Sequence, residues 1–315
     1  MRLSIVIAVL NDLEELRKTI ESIRSTSPAN EVEIVVVDDM STVPVPEMEG
    51  VRVLTETTRL GVGGARHLAA AHATGEFLLI TDAHMRFEPG WYEAAISRIL
   101  HRPTTMHCGV CLGLDKNATT LDKNRGAYQG ASLCFYHEGT KQVLEGKWLE
   151  KCEDDEEIPC VMGASYFIPR LFFYQVGGLN SLKMWGSDEP YLSLKVWMAG
   201  GDVRMLKTVR IGHMFRDNAP YSTDIRYLVY NKIRMCMELF DDPLSDFLIS
   251  KLPQDVNFTN AMAVIRQDLG EIEAFRKNFK PVRDVNWFIQ KFKVSIPGYT
   301  PPESPKSLCS STTSP

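Results

Sequence analysis

Three short apolar runs, each closing on acidic side chains, constrain this chain more than any other feature. Ile5 to Val9 is followed by Asn11 and Asp12, Glu33 to Val37 by Asp38 and Asp39, and Glu76 to Thr81 by Asp82. Continuous apolar runs of this length suit strands covered on both faces, as in a parallel sheet. Helical stretches separate them. Leu13, Leu16, Ile20 and Ile23 share one face, with Asn11 as the expected cap and Glu14 three residues on. A small-residue helix from about Gly63 to Ala73 precedes the third run. This alternation predicts an α/β fold with a doubly wound, mostly parallel sheet, whose ligands bind beyond the carboxyl ends of the strands. The acidic residues stand at those ends.

The pattern weakens between about 101 and 160, which reads as an insertion over the sheet. It returns with a strand from Cys160 to Ile168, a helix near Arg170 to Val176 and a helix from Ser187 to about Ala199, where Ser187 is placed to cap. Strands at Val203 to Leu206 and Val209 to Arg216 follow. Residues 224–292 read as mainly helical, and 298–315, rich in Pro, Ser and Thr, as a disordered tail. The expected division is a catalytic domain over 1–222, a helical region over 223–297 and the tail.

With 315 residues, 44% hydrophobic and 24% charged, the chain can bury a large core without disulfides. A net charge of −5 gives no overall pull toward nucleic acid or an anionic membrane. The N-terminal apolar run stops at Asn11, too short to span a bilayer. Seven cysteines without regular spacing suggest free thiols in a reducing compartment, and we expect a cytoplasmic protein with no membrane partner. Cys108 and Cys111 form a CxxC near His107, Cys134 and His137, but no second pair completes a zinc site.

Among possible chemistries, Gly61-Val62-Gly63-Gly64-Ala65-Arg66 resembles a dinucleotide-binding loop, yet it ends in Arg66 and does not follow the first strand. A plainer reading is that the glycines let a helix start approach a neighbouring backbone. Asp82-Ala83-His84 follows a buried strand and can converge on one cation, with His213 as a third ligand. A carboxylate with imidazoles favours a borderline ion such as Mn²⁺. Such a cation stabilises the charge that develops on a departing nucleotide diphosphate, and Arg59 and Arg216 can add charge-assisted hydrogen bonds. Helix capping would equally account for Asp188 and Glu189, and core packing for Trp197.

Taken in order, Val35-Val36-Val37-Asp38-Asp39, Arg59-Leu60-Gly61 with Ala65-Arg66, Thr81-Asp82-Ala83-His84, Gly90-Trp91, Met162-Gly163-Ala164, Trp185-Gly186-Ser187-Asp188-Glu189, and Gly212-His213-Met214-Phe215-Arg216 with Pro220-Tyr221 resemble the catalytic domain of polypeptide N-acetylgalactosaminyltransferases, within the family-2-like GT-A glycosyltransferases. The resemblance implies a GT-A (nucleotide-diphospho-sugar transferase) fold and Mn²⁺-dependent transfer from a UDP-sugar to a hydroxyl acceptor, with retention of configuration. It implies Asp82, His84 and His213 as metal ligands, and Ala8, Asp38 or Asp39, Arg59, Arg216 and Tyr221 as donor contacts. Trp185, Asp188 and Glu189 would lie beside the transferred sugar, where a carboxylate could equally act as base in an inverting reaction.

Several positions depart from that family. Leu10-Asn11-Asp12 replaces His-Asn-Glu, Gly163-Ala164 replaces paired glycines, and Gly186-Ser187-Asp188-Glu189 replaces Gly-Gly-Glu-Asn. The sugar is therefore open. The lack of an anchor and a lectin domain points to a bacterial or viral relative. The acceptor hydroxyl is expected on a protein, a glycan or modified DNA. The DNA reading rests on the basic and aromatic mixture from Phe275 to Lys293, which also suits an amphipathic helix pair. A nucleotidyltransferase and a catalytically silent sugar-nucleotide-binding protein are the alternatives of other classes.

Overall fold

A computed structural model describes residues 2–300 except 116, 118–119, 123–126, 164 and 217–219. Ala164 and residues 301–315 of the expected tail therefore lie outside the described residues. The strands are β1 (Leu3–Val9), β2 (Val32–Asp38), β3 (Val51–Thr55), β4 (Phe77–Thr81), β5 (Met85–Phe87), β6 (Thr105–Gly113), β7 (Ala127–His137), β8 (Gln142–Leu149), β9 (Ser165–Pro169) and β10 (Asp202–His213). They form one sheet in the order β3-β2-β1-β4-β9-β6-β10-β5, with β7 and β8 as a hairpin extending from β6. The first four strands in that order are parallel. β9 runs against both β4 and β6. As a result β6 and its parallel neighbour β10 point the same way as β1 to β4. The sheet is mostly parallel, as the alternation of runs suggests.

Side chains alternate between the two faces of β1, as a strand requires. Leu3, Ile5, Ile7 and Val9 pack with Leu16, Ile20 and Ile23 of helix α1 (Leu13–Thr26) and with Trp91 and Ile96 of α3 (Trp91–Ile99). Burying each such side chain contributes about 1.5–3 kcal/mol. Val6 faces the other way, toward Ala65 and Ala69 of α2 (Gly61–Ala71). Small side chains let α2 lie close to β1.

Several expectations are corrected. Thr105–Gly113, inside the segment read as an insertion, is a wholly buried strand of the central sheet. Thr105, His107 and Gly109 interrupt its apolar run and hide it in the sequence. The strand expected from Cys160 begins only at Ser165. The two strands expected on either side of residue 208 are one, β10, with a register shift between Leu206 and Arg210. Asn11 does not cap α1: it has a φ of 53° and its side chain accepts from the Thr42 amide at 2.8 Å, leaving Asp12 at the N-cap. Ser187 occupies the N-cap of α5 (Asp188–Met198) but with a φ of 70° and no side-chain capping bond.

The remaining helices are α4 (Arg170–Gln175), α6 (Ile225–Leu239), α7 (Asp242–Lys251), α8 (Val256–Gln267), α9 (Leu269–Asn278) and α10 (Val285–Phe292). Rings from the basic and aromatic segment pack inward: Phe288 is fully buried against Phe135, and Trp287 lies 5.8 Å from the core Trp197. Arg283 covers the Trp287 ring, and Lys291 bonds to Glu157 at 2.5 Å. The amphipathic reading accounts for these contacts, while Phe275, Phe279, Trp287 and Phe292 stay partly exposed. Cys108 and Cys111, three apart on β6, point to opposite faces. Among the described residues, no helix is long and apolar enough to cross a membrane.

Candidate active site

A cavity of about 610 Å³ opens beyond the carboxyl ends of β1, β2, β4 and β10. The backbone runs out of hydrogen-bonding strand there, and the residues that follow are free to turn polar groups inward. β4 delivers Asp82 and, two residues on, His84. β10 ends at His213. One ligand atom from each of these three lies within 4.8 Å of the other two. His213 Nε2 is 3.3 Å and His84 Nε2 3.8 Å from Asp82 Oδ2. Adjacent ligands on an octahedral ion are roughly 3 Å apart, so the three atoms fit around one divalent cation. Among the described residues this is the one such group.

Asp12 completes the arrangement and was not assigned a role from the sequence. Its Oδ2 lies 3.0 Å from His84 Nδ1. A proton held on that nitrogen leaves the Nε2 lone pair for a metal. The other oxygen of Asp12 accepts from Arg216 Nη2 at 2.8 Å. Burial would raise the Asp12 pKa, but its bonds to His84 and Arg216 hold it below the usual carboxylate value. Asp82 is similar. Its depth in the cavity opposes ionisation, yet the hydrogen bond with His213 and the charges of Arg66, His84 and His213 hold it well below the usual range.

Asp38 and Asp39 separate. Asp38 is fully buried and accepts from the amides of Ser41 and Val45, so it secures the loop after β2 and does not line the cavity. Asp39 does line it, accepting from Arg59 Nε at 3.1 Å and from the amides of Leu60 and Gly61 at 2.6 and 3.0 Å. A carboxylate at the start of α2 is also favoured by the helix dipole. Ala8, Arg216 and Tyr221 line the same cavity, and burial, then the Asp82 charge, raises the Tyr221 pKa. Gly61 starts α2 rather than a dinucleotide loop. A Cβ there would come within 2.1 Å of the Met184 backbone, and the Val62 amide bonds to the Met184 carbonyl at 2.7 Å.

The opposite wall is the segment around Trp185, half exposed at the cavity, followed by Asp188 and Glu189. Positive-φ backbone at Met184, Gly186 and Ser187 bends this segment between two supports. One support is α2. The other is the fully buried Asn231 of α6, which accepts from the Lys183 amide and donates to the carbonyls of Lys183 and Gly186, each at 2.9 Å. Behind the wall Arg66 bonds to both Asp188 and Asp82. Sequence reasoning noted Arg66 only as part of a motif. A cation inside an otherwise small-residue helix was the available signal.

Residues 4–150 match the model of glycosyl transferase family 2. That part of the chain is similar to the family 2 glycosyl transferases. His213, Arg216, Trp185 and Asp188 lie beyond that match yet close the same cavity. The chain is 27% identical over 318 residues to mouse (Mus musculus) polypeptide N-acetylgalactosaminyltransferase 10, covering 96% of this chain and 51% of that protein. It thus spans about half the length of the curated relatives of this kind that it matches. A crystal structure of GalNAc-T7 with UDP, GalNAc and Mn²⁺ superposes with a TM-score of 0.71 at 20% identity, covering 92% of this chain and 56% of that one. S. aureus TarS in complex with UDP-GlcNAc gives 0.51 at 14% identity, covering 89% of each chain. These superpositions show the GT-A fold.

Proposed function

We propose that this protein is a Mn²⁺-dependent glycosyltransferase that takes its sugar from a UDP-sugar and passes it to a hydroxyl acceptor. The convergence of Asp82, His84 and His213 at the base of a cavity rimmed by arginines carries the reading. A bound divalent cation supplies Lewis-acid stabilisation of the charge on the departing diphosphate. Arg59 and Arg216 add charge-assisted hydrogen bonds to the same oxygens. In this reading Asp39 and Ala8 would contact the nucleoside, Tyr221 the diphosphate and Trp185 the sugar ring, all four lining the cavity.

Asp188 and Glu189 serve as sugar-orienting groups in this reading. Asp188 is engaged by Arg66, and burial, with the Asp188 charge beside it, pushes the Glu189 carboxyl well above its ordinary range. A carboxyl pushed toward its protonated form is less available as a general base. This supports a retaining over an inverting outcome. The similarity to polypeptide N-acetylgalactosaminyltransferases supports a protein hydroxyl as acceptor. Free thiols at Cys134, Cys152 and Cys236 suit a reducing, cytoplasmic setting. We read residues 223–297 as shaping the acceptor side, with Asn231 joining that region to the cavity wall.

A screen of UDP-sugars for UDP release, with peptide, glycan and hydroxymethylated-DNA acceptors and with Mn²⁺ or a chelator, tests the proposal. We expect one donor to be turned over only with Mn²⁺ and transfer to be fastest to a peptide. Absence of both turnover and Mn²⁺-dependent UDP binding across the donors would overturn it.

A further inference from the structure

We propose that Arg66 is a positioning residue that couples the cation site to the carboxylate of Asp188, an inference that rests on the function proposed above. Its side chain is only 4% exposed, and its guanidinium is shared between two carboxylates far apart in sequence, both lining the cavity. Nη2 lies 2.6 Å from Asp82 Oδ1, while Nη1 bonds to Asp188 Oδ2 and stands 3.3 Å from the Tyr166 hydroxyl.

The division of the Asp82 oxygens is the informative detail. Arg66 takes Oδ1, and Oδ2 is the oxygen that faces His84 and His213. The guanidinium therefore sets the carboxylate plane and presents a single oxygen to the cation. Both carboxylates that Arg66 joins line the cavity. Here the second arm of the fork ties the same cation to Asp188, so a shift of Asp188 on the sugar side moves the donor atom of Asp82. Lysine, a point charge on a flexible stem, cannot hold both acids in fixed planes.

The test is Mn²⁺ affinity, read by electron paramagnetic resonance, for wild type, Arg66→Lys, Asp188→Asn and the double variant, with a thermal melt of each in chelator. Asp188 is not a metal ligand in this scheme. Both single variants should nonetheless bind Mn²⁺ about tenfold more weakly, as expected for outer-shell partners of a metal ligand, and the double variant should be no worse than the weaker single. Losses that multiply in the double variant mean independent charge effects and overturn the coupling. So do single variants that keep the wild-type affinity. If Arg66→Lys melts below the assay temperature, Asp188→Asn alone decides on the same criterion. A wild type that binds no Mn²⁺ removes the functional reading and this inference together. A wild type that binds Mn²⁺ and releases UDP, beside single variants of unchanged affinity, removes only the inference.

Discussion

In the helical region Arg234 is enclosed by Glu238 at 2.8 Å, the Tyr230 hydroxyl at 2.6 Å and Glu271 at 3.1 Å, and Glu238 is completed by the Tyr191 hydroxyl. At the strand ends Asp82, His84, Asp12, Arg66 and Arg216 are as densely linked, but Asp82 and both histidines line a cavity, with the two Nε2 atoms gathered around Asp82 Oδ2. Buried charge is common to both places. Side chains able to hold a metal and gathered at a cavity are found at the strand ends, and they distinguish a site from a support.

Two substitutions should separate the regions most sharply. Asp82→Ala or His213→Ala should lower Mn²⁺-dependent donor hydrolysis about 10²- to 10³-fold, with the far-ultraviolet circular dichroism unchanged. Hydrolysis at the wild-type rate in both variants would remove the cation site. Glu238→Ala leaves Arg234 buried without its main partner and should cost about 3–5 kcal/mol in urea unfolding. The kcat and KM of the folded fraction should stay at wild-type values, and a change in either would place the helical network inside the catalytic machinery.

The sequence exposes these two regions unequally. Asp39, Asp82 and His84 were legible because each follows a strand buried on both faces, a pattern visible in Val35-Val36-Val37 and Leu78-Leu79-Ile80. His213 needed the motif around it. Asp12 follows the first strand in the same way, but the neighbouring Asn11, with Glu14 three residues on, fits a capping pattern that masks it. Arg66 and Asn231 were out of reach, since their roles depend on partners brought together by the sheet order and by the packing of α6. β6 is hidden for a different reason: Thr105, His107 and Gly109 break its apolar run, and its neighbours β9 and β10 come much later in the chain.

Asn231 tests whether the boundary between the regions is real. It belongs to α6 by sequence, yet its side chain is spent on the backbone of the cavity wall at Lys183 and Gly186. Asn231→Ala should cost about 1–3 kcal/mol, from backbone groups left without partners. It should also lower kcat/KM for the UDP-sugar by about ten- to a hundredfold, because Trp185 and Asp188 lose their fixed placement. Stability loss without a kinetic effect would return Asn231 to the supporting side.

Lys195 gives the smallest effect and probes the least well matched charge on the supporting side. Its amine is fully buried, donates to the Gly178 carbonyl and lies 3.8 Å from the centre of the Tyr191 ring. Burial pushes its pKa down to about 7, only partly offset by the charge of Glu238. In the unfolded chain the value is about 10.4. Above the unfolded pKa both states are neutral and burial carries no ionisation cost. Below the folded pKa both are charged and the cost is complete. As pH falls from about 10 toward 7, Lys195 therefore contributes a steady loss of stability. Lys195→Met removes that slope. At neutral pH it should stabilise the protein by on the order of 1 kcal/mol, the gain being limited because the Gly178 carbonyl loses its donor. Chemical unfolding of both proteins at pH 7 and pH 10 measures the difference directly, and parallel pH profiles would show that Lys195 is neutral-tolerant and fully compensated where it sits.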